Sequence, residues 1–279
     1  MLICSCQNPA PIPVLSFSQP RAVDILGYTG NAMEPFLSRE GTILLFNNLN
    51  SAPENTNLHW ATRITDSTFQ YKGELKGINT PTLEAVASLD SQGTLYFVSD
   101  RNYSTTLSSI YTSTLSQGTV TSILPVEGLS KMLAGWVNFD AEVDAAGETL
   151  YSVDGRYDQN GGPYEADIFI AVKVSAGFQR LTNSAEIMKN INTAALEYAA
   201  CISANGLEFY FTRLGTASGS VPEIFSASRK LQQEPFGVAS KIVSITGFVE
   251  APTISSDGKI IYFHKNQNGK FVINYVRKK

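Results

Sequence analysis

At 279 residues, with 43% hydrophobic and 16% charged side chains, the chain is long enough to bury a sizeable core and too apolar to stay disordered. A net charge of −4 and the absence of a clustered basic stretch exclude nucleic acid as an expected partner, and no apolar run approaches the roughly 18 residues of a transmembrane span. Three cysteines, Cys4, Cys6 and Cys201, supply neither an even disulfide framework nor a thiolate metal site.

In chain order, Ile3-Cys4-Ser5-Cys6 comes first and resembles a bacterial lipobox, followed by the polar, Pro-rich stretch Gln7 to Pro13. The charged start and apolar stretch of a full signal are absent. Two readings stand side by side: a lipid anchor at Cys6 whose upstream signal is missing, or two incidental cysteines in a loose terminus. Residues 1–13 are therefore a leader or tether, and 14–279 are expected to form one domain.

Within 14–279 a unit recurs five times. Each copy carries an acid, a few small or apolar residues, a polar turn ending in Gly, and an aromatic-rich strand. The copies run Glu34 to Phe46, Glu84 to Phe97, Asp140 to Ser152, Glu197 to Phe211 and Glu250 to Phe263. Each reads as a hairpin, because Gly41, Gly93, Gly147, Gly206 and Gly258 can take the positive φ of a tight reversal. The strands after them hold the β-branched and aromatic residues that suit a pleated surface.

Leu45, Tyr96, Tyr151, Tyr210 and Tyr262 mark one common position, with steps of 51, 55, 59 and 52 residues, so each unit has room for four strands. Third strands fall at Leu58-His59-Trp60, Ile110-Tyr111-Thr112, Ile168-Phe169-Ile170, Ile224-Phe225-Ser226 and Ile273-Asn274-Tyr275. Fourth strands are expected to begin near Phe69, Val120, Phe178 and Phe236. The fifth unit stops at Lys279 without one, and Phe17 through Leu26 at the other end parallels Phe236 through Ile242. The pattern predicts an all-β, five-bladed β-propeller of four-stranded antiparallel blades, closed by an N-terminal strand that completes the last blade.

These residues resemble the TolB-like (WD40-like) β-propeller repeat family. Glu250, Pro252, Ser255, Asp257, Gly258, Tyr262 and Phe263 fit the first half of its unit. Ser99-Asp100-Arg101 with Ile110-Tyr111, and Asp154, Arg156 and Asp167-Ile168-Phe169, fit the second half. Asn47-Asn48 and Thr212-Arg213 depart from it. The resemblance implies a non-catalytic binding or scaffolding protein of the bacterial envelope, periplasmic or outer-membrane-associated, that meets a protein or glycan at the channel mouth. The fold itself does not choose an activity.

The acids that open each inner strand, Glu34, Glu84, Asp140, Glu197 and Glu250, together with Glu142, could ring the channel and serve a glycan-active hydrolase as its paired carboxylates. They could equally weld blades by accepting backbone N–H groups. Counted back from the common position, the five lie at offsets of 11, 12, 11, 13 and 12, and a strand period of two sends odd and even offsets to opposite sides unless bulges intervene. Asp140, Glu142 and Asp144 alternate along one strand and could hold Ca²⁺, a cation that takes oxygen ligands. Trp136 could stack on a sugar, and Arg101, Arg156 and Arg213 could read a ligand's carboxylate or simply pair with nearby acids. Two histidines, His59 and His264, are too few for a histidine-rich metal site.

Overall fold

The computed structural model describes residues 15–50 and 55–279. The lipobox-like segment, including Cys4 and Cys6, lies outside them. The strands in chain order are β1 (Arg21–Ala22), β2 (Asp24–Leu26), β3 (Met33–Leu37), β4 (Ile43–Asn47), β5 (Leu58–Arg63), β6 (Thr68–Glu74), β7 (Glu84–Leu89), β8 (Thr94–Ser99), β9 (Ile110–Ser116), β10 (Thr119–Pro125), β11 (Trp136–Val143), β12 (Thr149–Asp158), β13 (Gly161–Val174), β14 (Gly177–Arg180), β15 (Leu196–Ile202), β16 (Glu208–Leu214), β17 (Glu223–Ser228), β18 (Ser240–Lys241), β19 (Val249–Ile254), β20 (Ile260–Gln267) and β21 (Lys270–Arg277). They form five antiparallel meanders, each with its first strand on the channel: β3 to β6, β7 to β10, β11 to β14, β15 to β18, and β19 to β21 with β1 outside them. This is the expected five-bladed propeller.

The repeat was readable because each blade's second strand is buried on both faces. Leu44 and Phe46 pack into the core between blades five and one, while Leu45 points into the core between one and two. Phe209 and Phe211 likewise face blade three as Tyr210 faces blade five. Five apolar clusters result, one at each junction between neighbouring blades, so the core is a ring of interfaces. Turn glycines such as Gly206 (φ 71°) and Gly258 (φ 70°) take the left-handed backbone that the hairpins need.

Two details differ from the expected strands. The N-terminal segment is shared between blades: Arg21 and Ala22 pair with Tyr275 and Asn274 of blade five, whereas Asp24–Leu26 runs parallel to β6 as a fifth strand on blade one. Splitting the segment covers the outer edges of both blades at the seam. In blade four the outer strand is only Ser240–Lys241, and Phe236 precedes it as a fully buried anchor against Phe209, with ring centroids 4.9 Å apart. Burial in the core between blades three and four, rather than strand pairing, accounts for that aromatic.

Candidate functional site

Every inner strand carries a β-bulge, at the same place in four blades and one residue earlier in blade three. The ladder slips between Met33 and Phe36, Ala85 and Ser88, Asn138 and Ala141, Tyr198 and Cys201, and Glu250 and Thr253. Glu34, Val86, Ala199 and Ala251 adopt positive φ there, between 47° and 56°. An extra residue reverses the facing of everything beyond it, so a period of two cannot be counted through these strands.

The bulges also weld the ring. The freed N–H groups are taken by side chains of the preceding blade: Val86 N–H by Asn47 Oδ1 at 3.2 Å, Ala200 N–H by Asp140 Oδ2 at 3.2 Å, Ala251 N–H by Thr212 Oγ1 at 3.0 Å, and Glu34 N–H by His264 Nδ1 at 3.1 Å. A second tier follows. Leu37 N–H meets Thr253 Oγ1, Val143 N–H meets Ser88 Oγ, and Ile202 N–H meets Glu142 Oε1. Asp140 and Glu142 therefore serve as blade-to-blade acceptors as well as channel acids.

Register sorts the candidate acids into two kinds. Glu84 and Glu197 occupy equivalent positions just before the bulge, are fully buried, and have equivalent partners. Glu84 accepts Thr80 N–H at 2.5 Å and Arg101 Nη2 at 3.1 Å; Glu197 accepts Thr193 N–H at 3.0 Å and Arg213 Nε at 2.6 Å. The same arginines donate onward to the Ile78 and Ile191 carbonyls at 2.8 Å. Buried charges need such pairing, and its recurrence ties these residues to blade architecture.

Among the described residues Glu34, Asp140 and Glu250 have no such arginine partner. Aligned through Leu37, Val143 and Ile202, the blades carry Glu34, Val86, Asp140, Ala199 and Ala251 at one level, with Glu34 and Asp140 its two ionisable side chains, and Pro35, Ala87, Ala141, Ala200 and Pro252 at the next. These small residues narrow the channel to a pore of about 30 Å³, little more than one water. Above it opens a cavity of about 580 Å³, with Glu34, Asp140 and Glu250 at its floor and Asp100, Tyr103, Phe139, Tyr157 and Tyr198 among its walls. Among the described residues no Lys, Arg or His lines it. A short helix, α1 (Tyr103–Thr106), lies at the rim, where the Tyr103 hydroxyl donates to the Trp136 carbonyl at 2.8 Å.

The floor acids differ in their surroundings. Burial pushes the Asp140 carboxyl well above the usual aspartate range, and the charges of Glu34 and Glu142 push it further. Burial raises Glu34 too; Glu250 adds to this, while His264 and the Asn50 amide, which donates at 2.6 Å, oppose it. Glu250 receives the Tyr198 hydroxyl on one oxygen and His264 Nε2 on the other at 3.0 Å. The Tyr198 hydroxyl is raised in turn by burial and by Glu250.

His264 was not singled out in the sequence, although it follows the Tyr262-Phe263 strand at the position filled by Asn47 and Thr212 in other blades. Burial opposes a charge on its ring, yet the Glu250 bond and both carboxylates together push its pKa up. The Glu34 N–H bond requires an unprotonated Nδ1, so the arrangement seen is the neutral ring with its proton on Nε2.

The remaining residues singled out in the sequence lie elsewhere. Glu142 sits lower in the channel, paired with Arg39 at 3.1 Å and with Ser88 Oγ at 3.0 Å. Asp144 caps its hairpin by accepting Glu148 N–H at 2.8 Å. Asp140 and Glu142 share a side of the strand, each accepting an N–H of blade four, whereas Asp144 lies at the hairpin turn with a partner of its own. Among the described residues the donors that converge within 4.8 Å are Glu34, Glu250 and His264, and a cation there would have to displace the Nε2 proton. Trp136 and Arg156 do not line the cavity: Lys131 lies 3.3 Å over the Trp136 ring, and Arg156 pairs with Glu165 on the surface. His59 is buried with its Nδ1 at 2.8 Å from the Tyr71 hydroxyl.

No protein-family model and no curated protein sequence matches the chain. Among solved structures it is similar to a thermostable family-43 glycoside hydrolase, at 12% identity and a TM-score of 0.57 over 92% of this chain and 95% of that one. It is also similar to an α-L-arabinofuranosidase from Podospora anserina, at 12% identity and a TM-score of 0.56 over 95% and 96%. A protein described as TolB from Agrobacterium tumefaciens matches at 12% identity and a TM-score of 0.51, over 92% of this chain and 78% of that one. At such identities the likeness is one of fold, a β-propeller architecture that glycoside hydrolases and TolB both use.

Proposed function

We propose that this chain is a glycan-binding propeller whose ligand sits in the channel-mouth cavity. The observation that supports it is the lining: four carboxyl groups, those of Glu34, Asp100, Asp140 and Glu250, aromatic walls, and no basic side chain among the described residues. Carboxyl groups bond sugar hydroxyls as acceptors or, when protonated, as donors. Aromatic rings cover the apolar faces of pyranoses and furanoses. An anionic ligand meets only like charge there. The cavity's size is that of a small-ligand site, whereas a protein partner needs a broad surface.

A second reading, hydrolysis of a glycosidic bond, is favoured by one further observation. Burial pushes the Asp140 carboxyl well above the usual aspartate range, while Glu250 accepts hydrogen bonds from Tyr198 and His264, and two carboxyl groups in such unlike surroundings suit acid and base or nucleophile roles. In that reading Asp140 protonates the leaving oxygen, and Glu250 stabilises or attacks the developing oxocarbenium centre.

One experiment covers both readings. Immobilised neutral oligosaccharides are tested for retention of the wild type, Asp140→Asn and Glu250→Gln, and released reducing sugar is measured alongside. Retention without release supports the binding propeller. Release that falls by about 10² or more in Asp140→Asn, with retention preserved, supports hydrolysis. Failure of the wild type to be retained or to release sugar overturns both readings.

A further inference from the structure

The opposite face of the propeller holds a second cavity of about 370 Å³, framed by the hairpin turns of blades three and four. Its walls are apolar at Ile170, Leu181 and Ile187, and two guanidinium groups, Arg39 and Arg229, reach it. The two cations differ. Arg39 is matched by Glu142 at 3.1 Å, although its buried Nε has no acceptor.

Arg229 is only 9% exposed, and among the described residues it has no carboxylate within ion-pair distance. Its Nε donates to the Gly206 carbonyl at 2.9 Å, its Nη2 to the Tyr151 hydroxyl at 3.3 Å, and its plane lies 4.2 Å from the Phe236 centroid. Its hydrogen-bond partners are thus neutral, and no carboxylate oxygen bonds the guanidinium among the described residues. A nearly buried charge is costly unless it is paired. Asp144 also borders the cavity; its Oδ1 accepts Glu148 N–H, and it forms no ion pair with Arg229.

We propose that this cavity binds a small organic carboxylate, its anionic group paired with Arg229 and its apolar body against Ile170, Leu181 and Ile187. One unmatched guanidinium balances one negative charge, and a carboxylate suits its planar fork. A phosphate dianion leaves a surplus charge beside Asp144 and nothing for the apolar wall. The site is separate from the channel-mouth cavity and does not depend on what binds there.

The test uses calorimetric titration of the full chain with benzoate, with benzamide as the uncharged isostere and inorganic phosphate as a third probe. Benzoate is expected to bind, benzamide and phosphate to bind at least about tenfold more weakly, and Arg229→Gln to lose a similar factor, the scale of one charge-assisted pair. Arg229→Lys is expected to retain part of the affinity. Equal binding of benzamide, stronger binding of phosphate, or unchanged benzoate affinity in Arg229→Gln overturns the proposal. Should the variants fail to fold, methyl resonances of Ile170, Leu181 and Ile187 in the wild type provide the readout. Their shift on addition of benzoate but not benzamide supports the site, and their indifference to benzoate overturns it.

Discussion

The main-chain N–H of Glu34 donates to Nδ1 of His264 across 3.1 Å, joining the first inner strand of the propeller to the last blade. Because the ring also holds Glu250 through Nε2, one fully buried side chain fastens the seam and orients a floor acid. Replacing it by Ala leaves a buried N–H without an acceptor and opens a void. The expected loss is about 2–4 kcal/mol, read as a lower denaturation midpoint with an unchanged slope. Unaltered stability of His264→Ala would show that the seam is held elsewhere.

The seam depends on the N-terminal segment as well. Phe17 is buried against Tyr210, and Ile25 against the core between blades five and one, while Arg21–Ala22 and Asp24–Leu26 cover two outer strands. Deletion through residue 27 uncovers both edges and removes two core side chains, each contributing about 1.5–3 kcal/mol when fully buried. Aggregated protein or a strongly lowered melting temperature is expected by light scattering and calorimetry; a truncated chain that melts as the full one does refutes the closure.

How much of this was legible in the sequence follows from where the information resides. Runs such as Thr94-Leu95-Tyr96-Phe97 announce themselves because both faces of the second strand are buried, and the turn glycines mark their limits. The direction of each acid was hidden, because the bulge residues Glu34 and Asp140 break the period of two on which any such count rests. The split of the N-terminal segment was equally hidden: a few residues of strand carry no mark of which blade they cover. His264 left a usable signal, since comparison at the position of Asn47 and Thr212 shows one blade departing to an imidazole. The pairing of Glu84 with Arg101 was foreshadowed by the repetition of both residues, and the shared level of Glu34 and Asp140 by their equal offset from the common position.

Arg101 and Arg213 are equivalent in that register, each clamped to a fully buried glutamate and lying over an aromatic ring, Phe97 for one and Phe225 for the other. Truncating either to Ala strands a buried carboxylate, so Arg101→Ala and Arg213→Ala should each cost about 3–5 kcal/mol and differ little from one another. Neither arginine lines the channel-mouth cavity, so retention on oligosaccharides should persist in whatever protein remains folded. A variant of normal stability that has lost retention would instead make these arginines ligand contacts.

Asp140 gives a test in which stability and function move in opposite directions. Its carboxyl is raised by burial first and by Glu34 and Glu142 next, so across the range above the ordinary aspartate value the folded state holds a proton that the unfolded chain has released. Stability linked to this group is therefore fully present at low pH and falls as pH rises toward the raised value. Asp140→Asn removes that dependence while keeping an oxygen for Ala200 N–H. The variant should melt higher than the wild type at pH 7 and 8, and the difference should shrink toward pH 4. If hydrolysis is the activity, the same substitution abolishes turnover in a protein that has become more stable, the pattern expected when a functional carboxyl is maintained against the fold's preference. A uniform loss of stability at every pH would mean that the carboxyl is needed as a structural acceptor for the next blade and is not held protonated at the cavity floor.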